Sequence, residues 1–358
     1  MSDNKPTSII KKNILSLQFS ELQQYIIENK FPKFRAKQIW NWLYENGVMN
    51  FSMMKNLPQK IIDHLEENFF LGNMSIDTEQ SSKDGTIKRL YKLQDGQLIE
   101  SVLMPYNDGR RTACISSQAG CAMKCVFCAT GQMGFVRHLQ AAEIYEQAHL
   151  YACQLKERGE RLSNIVLMGM GEPFHNYDSV LQSIHMIQDR LGIGSRRITV
   201  STVGIAPKIR KFANEGLQVK LAISLHASSD DVRGPLMPIN KKYPIAELLD
   251  ACREYVNKTN RRITFEWALI SGENDNSEEA HRLGKLLQGL ECHVNLIPLN
   301  PTKGYDGKPT SIPDARHFIK ILEGYKIPAT VRVRRGIDID AGCGQLKSSR
   351  QNKERTIQ

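Results

Sequence analysis

Apolar positions recur at helical spacing through the first 75 residues. "QFSELQQYIIENK", "KFRAKQIWNWLYENG" and "LPQKIIDHLEENF" each carry an apolar stripe on an otherwise polar segment, which predicts three amphipathic helices. The pattern then shortens. "TIKRLYKLQDGQLIESVLMP" holds two β-type runs around Asp95-Gly96, a hairpin signal. From about residue 112 short apolar runs alternate with amphipathic stretches. "TACISS", "NIVLMGMG", "RITVSTVG", "VKLAISLHA", "RITFEWALI" and "HVNLIPLN" read as strands, and "ATVRVRRG" closes the series. The intervening "LQAAEIYEQAHLYACQLKERG", "YDSVLQSIHMIQD", "APKIRKFANEG", "IAELLDACREYV", "SEEAHRLGKLLQGL" and "IPDARHFIKILEGY" read as helices.

Six strand–helix units in a row predict a parallel α/β sheet. An eight-unit barrel typically needs about 250 residues, so a partial (β/α)6 TIM-like barrel fits the remaining chain better. The expected organisation is a small helical accessory domain at 1–75, a β-hairpin linker at 76–106, the barrel core at 107–340, and a C-terminal loop with a polar tail at 341–358. The tail, "GQLKSSRQNKERTIQ", is expected to be disordered.

Composition narrows the setting. The chain has 358 residues, 41% hydrophobic and 24% charged, ordinary for a water-soluble protein. No apolar run approaches the roughly 18 residues that span a bilayer. The N-terminus is polar and lacks a signal-type apolar region. The expectation is a cytoplasmic protein without a membrane partner, whose eight cysteines stay reduced. Formal net charge is +10, with paired bases at Arg110, Arg196 and Arg261, "KIRK" at 208 and "RVRR" at 332. Such a surface attracts polyanions, nucleic acid first among them. Lys33, Arg35 and Lys37 interleave with Trp40, Trp42 and Tyr44. That mixture could hold RNA, although tryptophans at helical spacing are more often core.

Three cysteines stand together. Cys121, Cys125 and Cys128 form a C-x3-C-x2-C run in "SSQAGCAMKCVFCATGQMGF", on the loop after the first expected parallel strand. Structural zinc takes four ligands, usually as two separated pairs. An ordinary iron–sulfur cube also takes four cysteines. Three thiolates leave one metal position open, the mark of a catalytic site. Barrel enzymes place their chemistry on such loops.

Other polar residues fall at strand ends. Gly169, Gly171, Glu172 and Pro173 in "MGMGEP" follow the second strand. Glycine lets backbone approach a ligand, and Glu172 can pair with an ammonium. Ser201 ends the third strand; Ser224, Leu225 and His226 the fourth; Asn300 the sixth. Singly, each polar residue could be turn chemistry and His226 a satisfied buried histidine. On successive strands they read as one binding site. Cys114, in "TACISS", reads as a buried strand cysteine. Cys343, between Gly342 and Gly344, sits on a loop expected to bend easily and pack little. A lone thiol there is a candidate nucleophile. Glu100, in "LIESVLMP", reads as a carboxylate on a strand.

The cysteine run, with Phe127 before its last member, resembles the radical S-adenosylmethionine (SAM) enzymes. With "MGMGEP", "SLHA…LMPIN", "VNLIPLNP" and "GIDIDAGCGQL" in order, residues 10–347 resemble the dual-specificity ribosomal and transfer RNA adenine C2 methyltransferases. Gly342 departs from that pattern, where Ala is commoner; it is expected only to loosen the loop. The resemblance implies one [4Fe–4S] cluster held by Cys121, Cys125 and Cys128, and two SAM molecules per turnover bound through Gly171, Glu172, Ser201, Ser224, Leu225, His226 and Asn300. It implies that Cys343 carries a methyl group, that Cys114 resolves the RNA adduct through a transient disulfide, and that Glu100 accepts a proton. It implies free 23S rRNA and tRNA as partners, and an electron donor of the flavodoxin or ferredoxin type. Adenine C2 is electron-poor and cannot attack a sulfonium methyl, so a radical route suits it. A sister group that methylates adenine C8 shares the cluster motif and both lone cysteines. A non-catalytic iron–sulfur RNA-binding protein is the reading from another class.

Overall fold

The computed structural model describes residues 11–347 apart from Met49 and Asn73; the polar tail beyond Lys347 lies outside the described residues. The N-terminal part packs α1 (Phe19–Glu28), α2 (Phe34–Tyr44) and α3 (Gln59–Asn68) around their apolar stripes. Leu22, Ile26, Ile39, Leu43, Ile61 and Leu65 form their shared core. Two short parallel strands, β1 (Lys12–Asn13) and β2 (Phe69–Phe70), tie the ends of this unit together.

A ten-stranded sheet makes up the rest. It starts with an antiparallel meander: β3 (Met74–Ser81), β4 (Ile87–Leu93), β5 (Leu98–Pro105) and β6 (Arg111–Cys114). Asp95-Gly96 makes the expected turn between β4 and β5, with Gly96 at φ 82°. β3 escaped the sequence reading because "MSIDTEQS" is mostly polar and exposed. From β6 the sheet turns parallel. The cluster loop comes next, carrying the hairpin β7 (Gln118–Gly120) and β8 (Phe135–His138) around α4 (Ala129–Met133).

Six parallel strands follow: β9 (Asn164–Leu167), β10 (Ile198–Thr202), β11 (Lys220–Ser224), β12 (Ile263–Leu269), β13 (Cys292–Pro298) and β14 (Ala329–Val331). The helices on the outside are α5 (Ala141–Glu157), α6 (Tyr177–Leu191), α7 (Ala206–Phe212), α8 (Asp230–Leu236), α9 (Ile245–Thr259), α10 (Ser277–Leu287) and α11 (Ile312–Gly324). The sheet order is sequential from β14 back to β3, and the two ends do not pair. The result is the open, partial barrel that the alternation predicts. The sheet also runs without a break through the expected boundary at residue 106, which falls in the β5–β6 turn.

The helical unit sits against α5 and α6 through Arg190. Its guanidinium stacks on Trp40, Tyr44 and Tyr145 at 5.2, 4.8 and 5.5 Å. It also donates to the carbonyls of Leu15 and Leu17 at 2.6 and 2.9 Å. Trp40 and Tyr44 thus serve packing between the two parts. Among the described residues no helix is long and apolar enough to cross a membrane.

Candidate active site

A parallel barrel gathers its loops at the carboxyl ends of its strands. There the structure opens a cavity of about 160 Å³, lined by Cys121, Cys125 and Cys128 and by residues from five strand ends. Gly171 and Glu172 follow β9. Ser201 lies on β10, Ser224 and His226 at the end of β11, Glu266 on β12 and Asn300 beyond β13. The structure therefore brings together five distant stretches that the sequence singles out one by one, and adds Glu266, which it does not. Leu225 is the exception: its side chain is fully buried in the core and its carbonyl accepts from Arg233 Nε at 3.0 Å.

The three thiols are buried or nearly so. Burial pushes Cys121 up to about 12 and Cys125 well above its ordinary value, where Cys128 and Cys121 add to the effect. Neutral thiols in a low-dielectric pocket are what a cationic centre would turn into thiolates. Among the described residues no three His, Cys, Asp or Glu groups converge on a single-ion site; the thiols border a cavity with room for something larger.

Glu172 is the buried acid of that cavity. Its Oε1 accepts from Phe174 N at 2.9 Å and its Oε2 from Val203 N at 2.8 Å. Burial nevertheless raises it to about 7. An arriving ammonium would favour the carboxylate. Asn300 adds a buried Oδ1 with no hydrogen-bond partner among the described residues, while its Nδ2 donates to Cys343 O at 3.0 Å. These two groups fit the amino-acid end and the hydrogen-bonding groups of SAM. His226 accepts from Ala268 N through Nδ1 at 2.8 Å, and burial lowers it to about 3. It is a neutral wall residue, edge-on to Phe127 at 4.9 Å.

Cys343 lines this cavity and also a second one, which contains Cys114, Met168 and Arg332. The methyl-carrying candidate and its expected resolving partner thus line one cavity. Burial, with Cys343 adding to it, pushes Cys114 up to about 12. The Cys343 loop does not pack loosely, contrary to the expectation from its glycines. Gly342 N donates to Gln345 Oε1 at 3.0 Å, Ala129 N to Gly344 O at 2.7 Å, and Thr130 Oγ1 to Leu346 O at 2.7 Å. Nor does Gly342 merely loosen it. A Cβ there would meet Asn300 Nδ2 and Gln345 Oε1, both at 2.7 Å, so glycine permits two amides to close on the loop.

Glu100 lines neither cavity. It is buried rather than solvated. Lys88 Nζ stands 3.4 Å from Oε1, and Lys347 N donates to Oε2 at 2.9 Å. Burial still raises it above the ordinary carboxylate range.

Sequence reasoning missed two arginines. Fully buried Arg233, on α8, donates to Val203 O and Asn240 Oδ1 at 2.7 and 2.9 Å and braces the β10 and β11 loops. Arg332 places Nη1 3.4 Å from Cys343 Sγ. Its only signal was membership of the "RVRR" run, which reads as surface charge.

An open parallel barrel with three cysteines on the loop after its first parallel strand defines a radical SAM enzyme. Comparison with known proteins agrees. Residues 115–284 match the radical SAM superfamily, and residues 12–71 match the ribosomal RNA large subunit methyltransferase N-terminal domain. The dual-specificity RNA methyltransferase RlmN 1 of Myxococcus xanthus (strain DK1622) is 49% identical over 328 residues, 91% of each chain. A probable dual-specificity RNA methyltransferase RlmN of Clostridium perfringens (strain 13 / Type A) is 49% identical over 94% of this chain and 97% of its own. The crystal structure of a radical SAM methyltransferase from Sphaerobacter thermophilus superposes with a TM-score of 0.91 at 45% identity, covering 94% of this chain and all of that one. The chain belongs to the dual-specificity RNA methyltransferase RlmN family. It is a radical SAM methyltransferase, with S-adenosylmethionine and a [4Fe–4S] cluster as its cofactors.

Proposed function

We propose that this enzyme methylates C2 of an adenosine in the peptidyl-transferase region of free 23S rRNA and C2 of adenosine 37 in tRNA. One observation carries the reading: Cys343 borders both the cavity of the cluster cysteines and the cavity of Cys114. A methyl acceptor that must serve SAM on one side and a resolving thiol on the other belongs at such a wall.

Cys121, Cys125 and Cys128 would hold the cluster, and Glu172 would pair with the ammonium of SAM. With both bound, the centre supplies a carbon radical that can abstract hydrogen from a methyl group. The chain's own residues do the rest. Cys343, as thiolate, attacks the methyl carbon of one SAM, so that its S–CH3 bond forms and S-adenosylhomocysteine leaves. After hydrogen abstraction, the methylene on Cys343 Sγ bonds to adenine C2. The adduct gives up the C2 proton and one electron, for which the oxidised cluster held by Cys121, Cys125 and Cys128 would be the acceptor. Glu100 takes that proton; raised by burial, it suits the task, but its contact with Lys347 must open first. Cys114 then attacks Cys343 Sγ. The S–S bond forms, the C–S bond breaks, and the electron pair left on carbon takes up a proton to complete the methyl group. A reductant restores both thiols. The cytoplasm supplies one, and an electron donor of the flavodoxin or ferredoxin type would supply the cluster.

Nucleoside mass spectrometry tests this. Reconstituted enzyme, reductant, CD3-labelled SAM and unmodified 23S rRNA or tRNA should yield 2-methyladenosine with two deuteriums. 8-Methyladenosine would move the enzyme to the sister reaction. Three deuteriums would exclude the methylene route.

A further inference from the structure

The second cavity has a basic mouth. It is lined at its outer end by Tyr106, Arg334 and Arg335 and deeper in by Arg332, Cys114 and Cys343. Tyr106 lies in the β5–β6 turn and Arg334 and Arg335 just beyond β14, so two remote segments meet here. The Arg335 guanidinium stacks on the Tyr106 ring at 4.4 Å, and Arg110 stacks on the same ring at 4.6 Å. Arg334 is exposed, as is the neighbouring Val333, 75% accessible at the end of the barrel's open edge. Asp108 offsets Arg110 at 2.7 Å.

We propose that Tyr106, Arg110, Arg334 and Arg335 form a phosphate-gripping site for the RNA strand beside the target base. The inference rests on the RNA-methylating reading and adds to it where the strand is held. Chemistry selects the ligand. Guanidiniums match phosphate oxygens bidentately, and the Tyr106 ring, with Arg335 and Arg110 stacked on it, fixes two of them in place. The target base must leave its helix to react, so the backbone on either side has to be fixed close to Cys343. This mouth opens on the cavity that Cys343 lines. An acidic electron-transfer protein is the other polyanion to consider. It would need the cluster loop, whereas this mouth leads to Cys114.

RNA affinity and its salt dependence test the proposal. A labelled, unmodified tRNA transcript would be titrated with holoenzyme at several KCl concentrations. Each lost phosphate contact lowers the slope of log K against log salt by about one. Arg334→Ala/Arg335→Ala should weaken binding about tenfold at moderate salt and lower the slope by about two. Arg334→Glu, on an exposed side chain whose change cannot unpack the core, should weaken binding at least as much. Arg196→Ala/Arg197→Ala, at the amino end of β10 on the opposite face of the barrel, should leave the slope unchanged. Wild-type affinity and slope in both mouth variants would overturn the assignment, as would a loss confined to reduction by an acidic electron-transfer protein. If wild-type holoenzyme cleaves SAM yet neither binds nor modifies RNA, the proposed function falls instead.

Discussion

Arg332, the residue directly after β14, places its Nη1 3.4 Å from Cys343 Sγ. The thiol sulfur raises Arg332 above the usual guanidinium range, so the pair is strongest when Cys343 is a thiolate. A thioether carries no charge, and methylation should weaken the contact. Arg332→Ala should slow methylation of Cys343 about tenfold to a hundredfold, the worth of one charge-assisted hydrogen bond. Arg332→Lys should recover part of the rate. Intact-protein mass spectrometry after mixing with SAM reads both, and equal rates in all three proteins would remove Arg332 from the step.

Cys125→Ala should abolish iron–sulfur absorbance and SAM cleavage together, because the remaining thiols no longer enclose the cavity. Visible spectroscopy after anaerobic reconstitution, with chromatography for 5′-deoxyadenosine, checks this. Full cleavage in the variant would mean that the cluster has other ligands.

Cys114→Ala should stop turnover after the carbon–carbon bond has formed. The protein should then run as a covalent complex with RNA on a denaturing gel, releasing the RNA only on nuclease digestion. Free RNA carrying the finished methyl group would show that another group attacks Cys343 Sγ.

Glu172 makes stability depend on pH. Burial raises it from 4.5 to about 7. Between those values the folded chain keeps a proton that the unfolded chain has released, so its stabilising contribution is complete below 4.5 and is lost as pH rises through about 7. Burial lowers His149 and His226 to about 4 and about 3. Their contributions run the other way and vanish as pH falls toward those values. The readout is therefore a difference. Cluster-free Glu172→Gln should gain on wild type between about pH 5 and about pH 8, by on the order of 3 kcal/mol at most, in urea titrations. A pH-independent difference would place the Glu172 proton elsewhere.

The strands and the cluster loop were legible because their information is local. Each parallel strand is a short apolar run, and C-x3-C-x2-C fits within one loop. Relationships between remote residues were not. Arg332 meets Cys343 only after β14 pairs with β13, and Glu100 meets Lys347 only after the C-terminal segment crosses β5. α8 also hid, since Gly234 and Pro235 interrupt the helical pattern. In each case the sequence shows the side chain and the tertiary fold supplies its partner.

The short helix α4 begins at Ala129, directly after Cys128, and its first two residues hold the carbonyls of Gly344 and Leu346. One turn of helix therefore ends the three-cysteine loop and holds the segment that carries Cys343. The two cysteine-bearing segments are thereby mechanically one piece. A substitution that unwinds this turn would displace the cysteine loop and the Cys343 loop together.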